Sequence, residues 1–516
     1  MHKKLSKEWL LIISLALIKL TIHFLTNTNY ELHRDAFLYL ALGDHLDWGF
    51  MSVPPTIAVL GNITRFLFGD SVFSIRLFPA LVGAVSVVMI GLIIKNLGGK
   101  TWAILLGCSA FILSPAFLRS NTLFQPVAFN QFYWLLTTYF FIKLLKTHNP
   151  KFWIHLGIVW GLAFLNKYSI AFLAFAFLVS LLLTSNRKLY ISKYFLIGMG
   201  LGMLIVLPNL IWQYNHNFPV AHHMVALRES QLINVRIVDF LSAQLLMNIS
   251  NVIIWMFGLV FLLFLKDGKT YRVIGFTYLT VLIIFIVLKG KAYYALGIYP
   301  VLFAAGGFAI EKYLTGRWHY LKPVILVLMI LILLPLLPYS LPVYPLEKMI
   351  QYCEQSRKFG GEGALRWEDG RIHSLPQDYA DMVGWKELAD IVIQTYQSLP
   401  DSEQANCVIY GENYGEAGAI KFHGEKYGLP EPVSFSGSFL FWAPDRCNKQ
   451  ILIYVNDETD DVEYYFTTVK KVGEITNPYA RESGMPVWLC RTPRNGFEQF
   501  YAEKAKSLKN RFRRGH

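Results

Sequence analysis

The chain of 516 residues is 54% hydrophobic and 16% charged, with a mean hydropathy of +0.38. These values exclude a purely soluble protein and predict a polytopic α-helical membrane protein with room for one soluble domain. The formal net charge of +13 comes from the first 341 residues, with 27 basic and 10 acidic side chains; residues 342–516 hold 21 and 25. Cationic loops beside membrane helices explain this excess, so no nucleic-acid partner is expected.

Apolar runs of membrane length fill residues 1–341 and define a predicted transmembrane domain. The first run has no small-residue cleavage site, so we expect it to be retained as a helix. About eleven transmembrane helices are predicted, at 8–27, 72–95, 101–118, 126–145, 152–166, 168–185, 193–213, 239–265, 272–288, 293–312 and 320–341.

Positive charges orient these spans in a cell membrane. With the N-terminus inside, the inner segments hold seventeen lysines and arginines, including Lys3 and Lys4, and the outer segments hold nine. This bias predicts that the first outer loop (residues 28–71) and the tail (residues 342–516) are extracytoplasmic. The nine outer cations, which the orientation rule leaves unexplained, are Arg34, Arg65, Arg76, Arg119, Lys167, Arg228, Arg236, Lys289 and Lys291.

The first outer loop is polar and acidic, and juxtamembrane helices are predicted at about 35–68. In a helix over 35–48, Asp44 and Asp47 would share one face. An apolar stripe of that helix would lie along the bilayer surface, formed by Phe37, Leu38, Leu42 and Leu46. Asp35 would stand at the helix N-terminus, where it is either a reactive carboxylate or only an N-cap. Residues 56–68 are predicted to form a second interfacial helix.

The tail is predicted to be a soluble α/β domain. It offers helices at 378–398 and 415–427, and strands at 407–410, 451–455, 469–473 and 487–490. The segment GENYGEAG is interpreted as a turn and a helix start, with ligand binding as the alternative. Residues beyond about 504 are expected to be frayed or surface-bound. Four cysteines form disulfides or remain free and buried: Cys353, Cys407, Cys447 and Cys490.

Three outer features carry chemistry. They are Asp35 in HRDAFLYLA, the sequence Asn166-Lys167-Tyr168 between two short spans, and KGKAYY at 289–294. Cations at a bilayer surface grip a phosphate of a lipid carrier, while a carboxylate takes a proton from an attacking hydroxyl. Tyrosines at the membrane interface either stack on sugar rings or belong to the band of aromatic side chains that anchors a membrane protein at the bilayer surface.

The first outer loop resembles that of the GT-C glycosyltransferases of the protein-mannosyltransferase superfamily, including the bacterial aminoarabinose-transferase-like and glycosyltransferase-39 groups. The matching features are Asp35, Tyr39, the pair Pro54-Pro55 and the segment from Phe68-Gly69 to Pro79. The segments NKYS at 166–169 and KGKAYYALGIYPVLFAAGG at 289–307 are also similar to this group.

The resemblance implies a GT-C fold and inverting transfer of a hexosyl or pentosyl group from a polyprenyl-phosphate-linked donor, on the outer face of the membrane. Asp35 would be the catalytic base. The substrate-binding residues would be Arg34, Tyr39, Lys167, Tyr168, Lys289, Lys291, Tyr293 and Tyr294.

Two departures from the family pattern concern acidic residues. Ala36 follows Asp35, where many relatives have Asp-Glu, and Met51-Ser52-Val53 precedes the proline pair without a carboxylate. No cofactor is therefore assigned, and a divalent metal stays open. Three histidines of the loop 214–238 are solvated side chains or, less simply, metal ligands: His216, His222 and His223.

A transporter or flippase of lipid-linked sugars is the alternative function, because it also needs cations and a carboxylate near the membrane. The sequence has no evident inverted repeat, and its charges cluster at one surface, which favours the enzyme. The sugar and the acceptor, whether lipid, glycan or protein, stay open.

Overall fold

A computed structural model describes residues 5–513, so Lys3, Lys4 and residues 514–516 lie outside the described residues. The chain forms two compact units. The membrane unit comprises Met1–Asn27, Phe73–Leu210 and Val225–Val343, and the loop–tail unit comprises Thr28–Val72, Ile211–Met224 and Tyr344–His516. The first outer loop and the tail therefore fold together.

Helices dominate the first 341 residues. In chain order they are α1 (Lys7–Phe24), α2 (Arg34–Asp44), α3 (Thr56–Phe68), α4 (Val72–Leu97), α5 (Thr101–Ile112), α6 (Pro115–Ser120), α7 (Pro126–Thr147), α8 (Phe152–Phe164), α9 (Ile170–Leu182), α10 (Lys193–Asn215), α11 (Pro219–Ser230), α12 (Ile237–Leu246), α13 (Val252–Phe264), α14 (Arg272–Val287), α15 (Tyr299–Tyr313), α16 (Leu321–Leu333) and α17 (Leu337–Ser340). Helix ends follow local chemistry. Helix α7 begins at Pro126, because a proline has no backbone N–H that would be left without a partner in the first turn. Helix α4 ends before Gly98, whose φ of 95° favours glycine.

The chain is a multi-pass membrane protein. Among the described residues, five helical stretches are long and apolar enough to cross a bilayer, or six if one bent pair is counted as a span. They are Val72–Leu97, Lys193–Asn215, Lys266–Val287, Ala292–Tyr313 and Gly316–Ser340, and the bent pair is Ile237–Leu246 with Ile249–Phe264. The count of eleven spans stays a prediction.

Two of the predicted spans are broken in the structure. The span at 101–118 breaks before Pro115, and the span at 239–265 bends by 64° between its two helices. The hydroxyl of Ser250 donates to the carbonyl of Leu113 at 2.8 Å, and that of Ser114 donates to the Asn248 amide oxygen at 2.9 Å. Residues at each break thus form hydrogen bonds with residues at the other break. These bonds satisfy polar groups, such as the Leu113 carbonyl, that would otherwise be buried without a partner.

Glycines let membrane helices cross with their backbones in contact. A Cβ added at Gly157 of α8 would lie 1.8 Å from the carbonyl oxygen of Gly198 in α10, and one at Gly198 would lie 2.2 Å from that of Trp153. Gly306 of α15 makes the same approach to α13, where an added Cβ would lie 1.8 Å from the Ile254 oxygen. Small residues at such crossings supply the packing that drives helix association in a membrane.

The tail contains the predicted α/β fold. Its elements are α18 (Leu346–Arg357), α19 (Gln377–Ala380), α20 (Trp385–Gln397), α21 (Asp401–Ala405), β1 (Cys407–Gly411), α22 (Tyr414–Gly424), α23 (Phe439–Trp442), β2 (Ile451–Val455), α24 (Asp460–Tyr465), β3 (Phe466–Glu474), β4 (Pro486–Pro493) and α25 (Phe497–Asn510). The sheet order is β1-β2-β4-β3, with β1 and β2 parallel and the other two pairs antiparallel. That the tail is a soluble extracytoplasmic domain stays a prediction.

The basic C-terminal segment is ordered as far as α25 extends, so the expectation of frayed residues is wrong there. Tyr501 and Ala505 are buried in one core with residues of β1 and β2. The ammonium of Lys509 donates to the carbonyl of Ala443 and, at 2.8 Å, to Asp445. The buried apolar side chains of α25 therefore hold this basic helix against the rest of the tail.

The apolar stripe of α2 packs against the tail. Phe37, Leu38 and Leu42 are at least 95% buried, and the Phe37 ring meets the rings of Trp385 and Phe422. The prediction that this stripe lies along the bilayer surface is therefore wrong for these three residues, and the fourth, Leu46, lies beyond the end of α2 and is 52% exposed. The second predicted interfacial helix, α3, does expose an apolar face, formed by Val59, Ile63, Phe66 and Leu67.

Within the described residues, the four tail cysteines and Cys108 are buried and form no disulfide, which agrees with the second of the two interpretations of the sequence. Burial raises the pKa of both Cys407 and Cys490 to about 12. Thiols held in this way are protonated and unreactive.

Candidate active site

Asp35 lies in the first turn of α2, and the N-cap of this helix is His33. The backbone amide of Asp35 donates to the Nδ1 atom of His33 at 3.2 Å. Because His33 fills the capping position, the reading of Asp35 as only an N-cap is wrong. The Asp35 side chain is 27% exposed, so solvent or a ligand reaches it.

Tyr414 of the tail holds the Asp35 carboxylate. Its hydroxyl donates to Oδ1 of Asp35 at 2.9 Å. Burial, followed by the charge of Asp35, raises the pKa of Tyr414 well above its ordinary value. Tyr414 therefore stays protonated at neutral pH and acts as the donor in this bond.

The start of α22 fixes the position of Tyr414. Asn413 caps the helix, accepting from the amides of Gly415 and Glu416 at 2.8 and 3.2 Å. Glu416 completes a capping box by accepting from the Asn413 amide at 3.1 Å. Burial, with Glu482 nearby, raises the pKa of Glu416 to about 8. The turn GENYGEAG is thus the predicted turn and helix start, and it also delivers a side chain to Asp35.

Arg34 borders the same group. Its guanidinium lies over the Tyr414 ring, 4.8 Å from the ring centre, and its amide donates to the Asp381 carbonyl at 3.0 Å. The buried Asp381 carboxylate accepts from Arg481 at 3.3 Å. The sequence did not indicate these tail residues; only the glycine-rich turn hinted at Tyr414. The other predicted loop residue, Tyr39, is partly buried against a neighbouring apolar cluster.

Two further carboxylates of the first outer loop, Asp44 and Asp47, have structural hydrogen-bond partners. Because α2 ends at Asp44, the expected shared helical face with Asp47 does not form. Asp44 accepts from Arg65 at 2.7 Å, and Asp47 accepts from the indole nitrogen of Trp212 at 2.6 Å. Arg65 also pairs with Asp70, at 2.6 Å. These bonds brace the loop around α2 and α3.

One group of potential metal ligands comes together within residues 5–513, formed by His33, Asp378 and Asp381. The geometry argues against it. Since Nδ1 of His33 accepts the Asp35 amide, a neutral ring carries its proton on Nε2, the atom that faces the two carboxylates at 3.8 and 3.6 Å. His33 is better described as a link between the loop and the tail. No metal is assigned.

Three of the predicted substrate-binding residues, Lys167, Tyr293 and Tyr294, lie close together within the membrane unit. The Lys167 ammonium lies 5.8 Å from the ring centre of Tyr293 and 5.6 Å from that of Tyr294. It follows Asn166, whose amide donates to the Pro126 carbonyl at 3.1 Å. Tyr168 packs its ring against Phe164. The break between α8 and α9 thus presents a lysine beside two tyrosines.

The KGK segment, residues 289–291, is not extended throughout. Lys289 has a left-handed backbone with φ 52°, and its ammonium donates to the Ile233 carbonyl at 3.1 Å. Lys291 is extended, with φ −62° and ψ 142°, and is half-buried. The two lysines therefore have different surroundings, and Lys289 is committed to a backbone carbonyl.

A buried polar cluster on α1 was missed in the sequence. Lys19 and His23 are fully buried; the Lys19 ammonium donates to the Phe117 carbonyl at 3.0 Å. Arg76, also buried, donates to the Asn27 carbonyl at 2.8 Å. The signal was the spacing of Lys19, His23 and Asn27, four residues apart on one helix face within a predicted span.

Comparisons with known proteins agree with this architecture. Residues 52–212 match the family described as dolichyl-phosphate-mannose-protein mannosyltransferase. The lipid A galacturonosyltransferase RgtD from Rhizobium johnstonii is 26% identical over 214 residues, which are 41% of this chain and 45% of RgtD. The match thus spans less than half the length of that relative.

Two crystal structures of ArnT from Cupriavidus metallidurans share the fold. The structure bound to undecaprenyl phosphate has a TM-score of 0.62 and 13% identity, covering 94% of this chain and 98% of ArnT. The apo structure has a TM-score of 0.56 and 13% identity, covering 93% and 97%. The resemblance to GT-C fold glycosyltransferases that the loop motifs suggested is confirmed.

Proposed function

We propose that this GT-C fold membrane protein is an inverting glycosyltransferase that uses a polyprenyl-phosphate-linked sugar on the outer face of the membrane. The observation that carries the proposal is the Asp35 carboxylate. It is partly exposed, it begins the helix that carries the superfamily-like motif, and it is held by Tyr414 at 2.9 Å. A loop carboxylate with a fixed orientation suits a general base.

The proposed reaction is a single displacement. Asp35 accepts the proton of an acceptor hydroxyl while that oxygen forms a bond to the anomeric carbon of the donor sugar. The bond from this carbon to the phosphate oxygen breaks, and polyprenyl phosphate leaves with the electron pair. Attack on the face opposite the leaving group inverts the anomeric centre.

Cations of the membrane unit are proposed to bind the donor phosphate. The candidates are Lys167, Lys289 and Lys291, and the Lys289 ammonium also donates to the Ile233 carbonyl at 3.1 Å. Tyr293 and Tyr294, beside Lys167, would contact the sugar or the carrier. A charge-assisted contact from a lysine stabilises a bound phosphate.

Replacing Lys167 by methionine is expected to raise the apparent KM for the donor about tenfold or more, because a hydrogen bond to a charged group is lost. The measurement is transfer rate against donor concentration with purified protein in nanodiscs. Lys143→Met is the matched control, since Lys143 also lies near a tyrosine, 5.7 Å from the Tyr139 ring centre, in a segment predicted to face inward. An unchanged donor KM for Lys167→Met would remove Lys167 from the site.

The acceptor is proposed to be a lipid, with a glycan or a protein as the alternatives. The relative RgtD is named as a lipid A galacturonosyltransferase, which supports a lipid acceptor. The sugar is proposed to be a hexose or a pentose. Membrane lipids surround the helices of the membrane unit.

An alkaline phosphatase fusion after Pro345 is expected to be active, because the charge bias puts the tail outside the cell membrane. The matched control is a fusion after Lys269, in a segment predicted to be inside, which should be inactive. The reverse pattern would show that the orientation, and with it an outer-face reaction, is wrong.

The proposed function is tested by comparing a deletion strain with its parent and with a strain that carries Asp35→Asn. Mass spectrometry of lipids and glycans should show an acceptor that lacks one sugar in both mutants. The carrier-linked donor should accumulate on the outer side, where membrane-impermeant periodate oxidises it. Donor accumulated on the inner side, protected from periodate, would instead indicate a transporter or flippase.

A further inference from the structure

The geometry points to Tyr414 as a positioning residue for the Asp35 carboxylate, so that the tail forms part of the catalytic apparatus. This inference rests on the proposed function of Asp35. Tyr414 lies 379 residues beyond Asp35 in the chain, and its hydroxyl donates to Oδ1 of the carboxylate at 2.9 Å. A general base transfers a proton efficiently only when one of its oxygens meets the substrate hydroxyl in line.

The hydroxyl of Tyr414 supplies this orientation by fixing the rotation of the carboxylate. Asp35 has a short side chain and lies in the first turn of α2. The bond from Tyr414 to Oδ1 restricts rotation of the carboxylate about the Cβ–Cγ bond and also offsets part of its negative charge before the proton arrives. The effect belongs to Tyr414, which does not itself touch the reacting atoms.

Tyr414 is suited to this task because it is held from several sides. It begins α22, whose N-terminus is closed by Asn413 and Glu416, and its ring lies 4.8 Å beneath the Arg34 guanidinium. A ring held by a cap on one side and by a stacked guanidinium on the other has little room to move. The donor hydroxyl is therefore in place before substrate binds, as preorganised catalysis requires.

The helices that carry the two residues are locked in contact. A Cβ added at Gly418 of α22 would lie 2.9 Å from the backbone carbon of Phe37 in α2. The amide of Glu31 donates to the Met382 carbonyl at 3.1 Å, and the amide of Lys386 donates to Glu31 at 2.8 Å. The tail thus contacts the first outer loop on both sides of Asp35 in the chain. A separate acceptor-binding module would not need such contacts.

Tyr414→Phe removes only the hydroxyl and keeps the ring beneath Arg34. We expect kcat to fall about tenfold or more, because the charged carboxylate of Asp35 loses a hydrogen bond. The KM for the sugar donor should change less than about twofold, because Tyr414 makes no proposed contact with that substrate. The rate is measured per mole of folded protein, taken from the monodisperse peak of the full chain in detergent.

Tyr410→Phe is the matched control. Tyr410 is also buried in the tail, and its hydroxyl also donates to a carboxylate, that of Glu412, at 2.9 Å. Losing this bond should lower thermal stability by a similar amount and leave kcat within about twofold. A loss of kcat as large in Tyr410→Phe as in Tyr414→Phe would overturn the inference, because the effect would then come from general loosening of the tail.

A double variant separates this inference from the proposed function. If Tyr414 acts through Asp35, adding Tyr414→Phe to Asp35→Asn should change the residual rate less than about twofold. If the two residues act independently, the rate losses of the two single variants should multiply in the double variant. A multiplied loss, or an unchanged kcat in Tyr414→Phe alone, would overturn the positioning role. Wild-type transfer by Asp35→Asn would instead overturn the proposed function itself.

Discussion

Asp35→Asn is expected to lower the transfer rate about 10²- to 10⁴-fold, the usual cost of losing a general base. Asparagine has nearly the same shape, and its amide oxygen can accept the bond from Tyr414 that Asp35 accepts at 2.9 Å. The helix cap is unaffected because His33 provides it. The loss should therefore appear in the rate and not in folding, measured by transfer assay and thermal denaturation of the same preparation.

Asp47→Asn is the control for this experiment. Asp47 belongs to the same loop, and it accepts from the Trp212 indole at 2.6 Å, a bond that an asparagine oxygen can also accept. We expect a rate close to that of the parent. Equal losses in the two variants would mean that any change of charge in the loop impairs the enzyme, and Asp35 would lose its special role.

Gly198→Val is expected to destabilise the membrane unit by about 3 kcal/mol or more, because the new side chain has no room. A Cβ at this position would lie 2.2 Å from the Trp153 carbonyl oxygen, so α8 and α10 would have to separate. Helix contact in a membrane depends on this close approach. The measurement is the apparent Tm and the monodispersity of the chain in detergent.

Gly200→Val, two residues further along α10, is the matched control. Among the described residues, no heavy atom beyond its chain neighbours and its own helix lies within 4 Å of a Cβ added there. Valine should be tolerated, with a Tm close to that of the parent. If both substitutions destabilise alike, the cause is the loss of glycine from the helix and not the crossing.

Much of the membrane architecture could be predicted from local sequence. Membrane-length apolar runs and the turn residues between them predict where α4, α7 and α10 lie, because a helix in lipid satisfies its own backbone hydrogen bonds. The same reasoning failed at 101–118 and 239–265, where distant polar side chains such as Ser250 stabilise broken helices. A break that depends on a distant partner is not visible in a sequence window.

The sequence likewise identifies one part of the candidate site and not the other. Asp35 could be singled out from the sequence, because a carboxylate beside a membrane span is costly and the surrounding motif is specific. Its partner Tyr414 could not, since the two residues are 379 positions apart and the turn that carries Tyr414 has an ordinary structural interpretation.

The apolar stripe of α2 shows why tertiary structure was needed. The sequence determined that this helix is amphipathic, but a bilayer and a protein core attract the same apolar side chains. Only the folded chain decided between them, by placing Phe37 against Trp385 and Phe422 of the tail. The hydrophobic effect is non-directional, so the partner that covers an apolar face depends on the geometry of the whole chain.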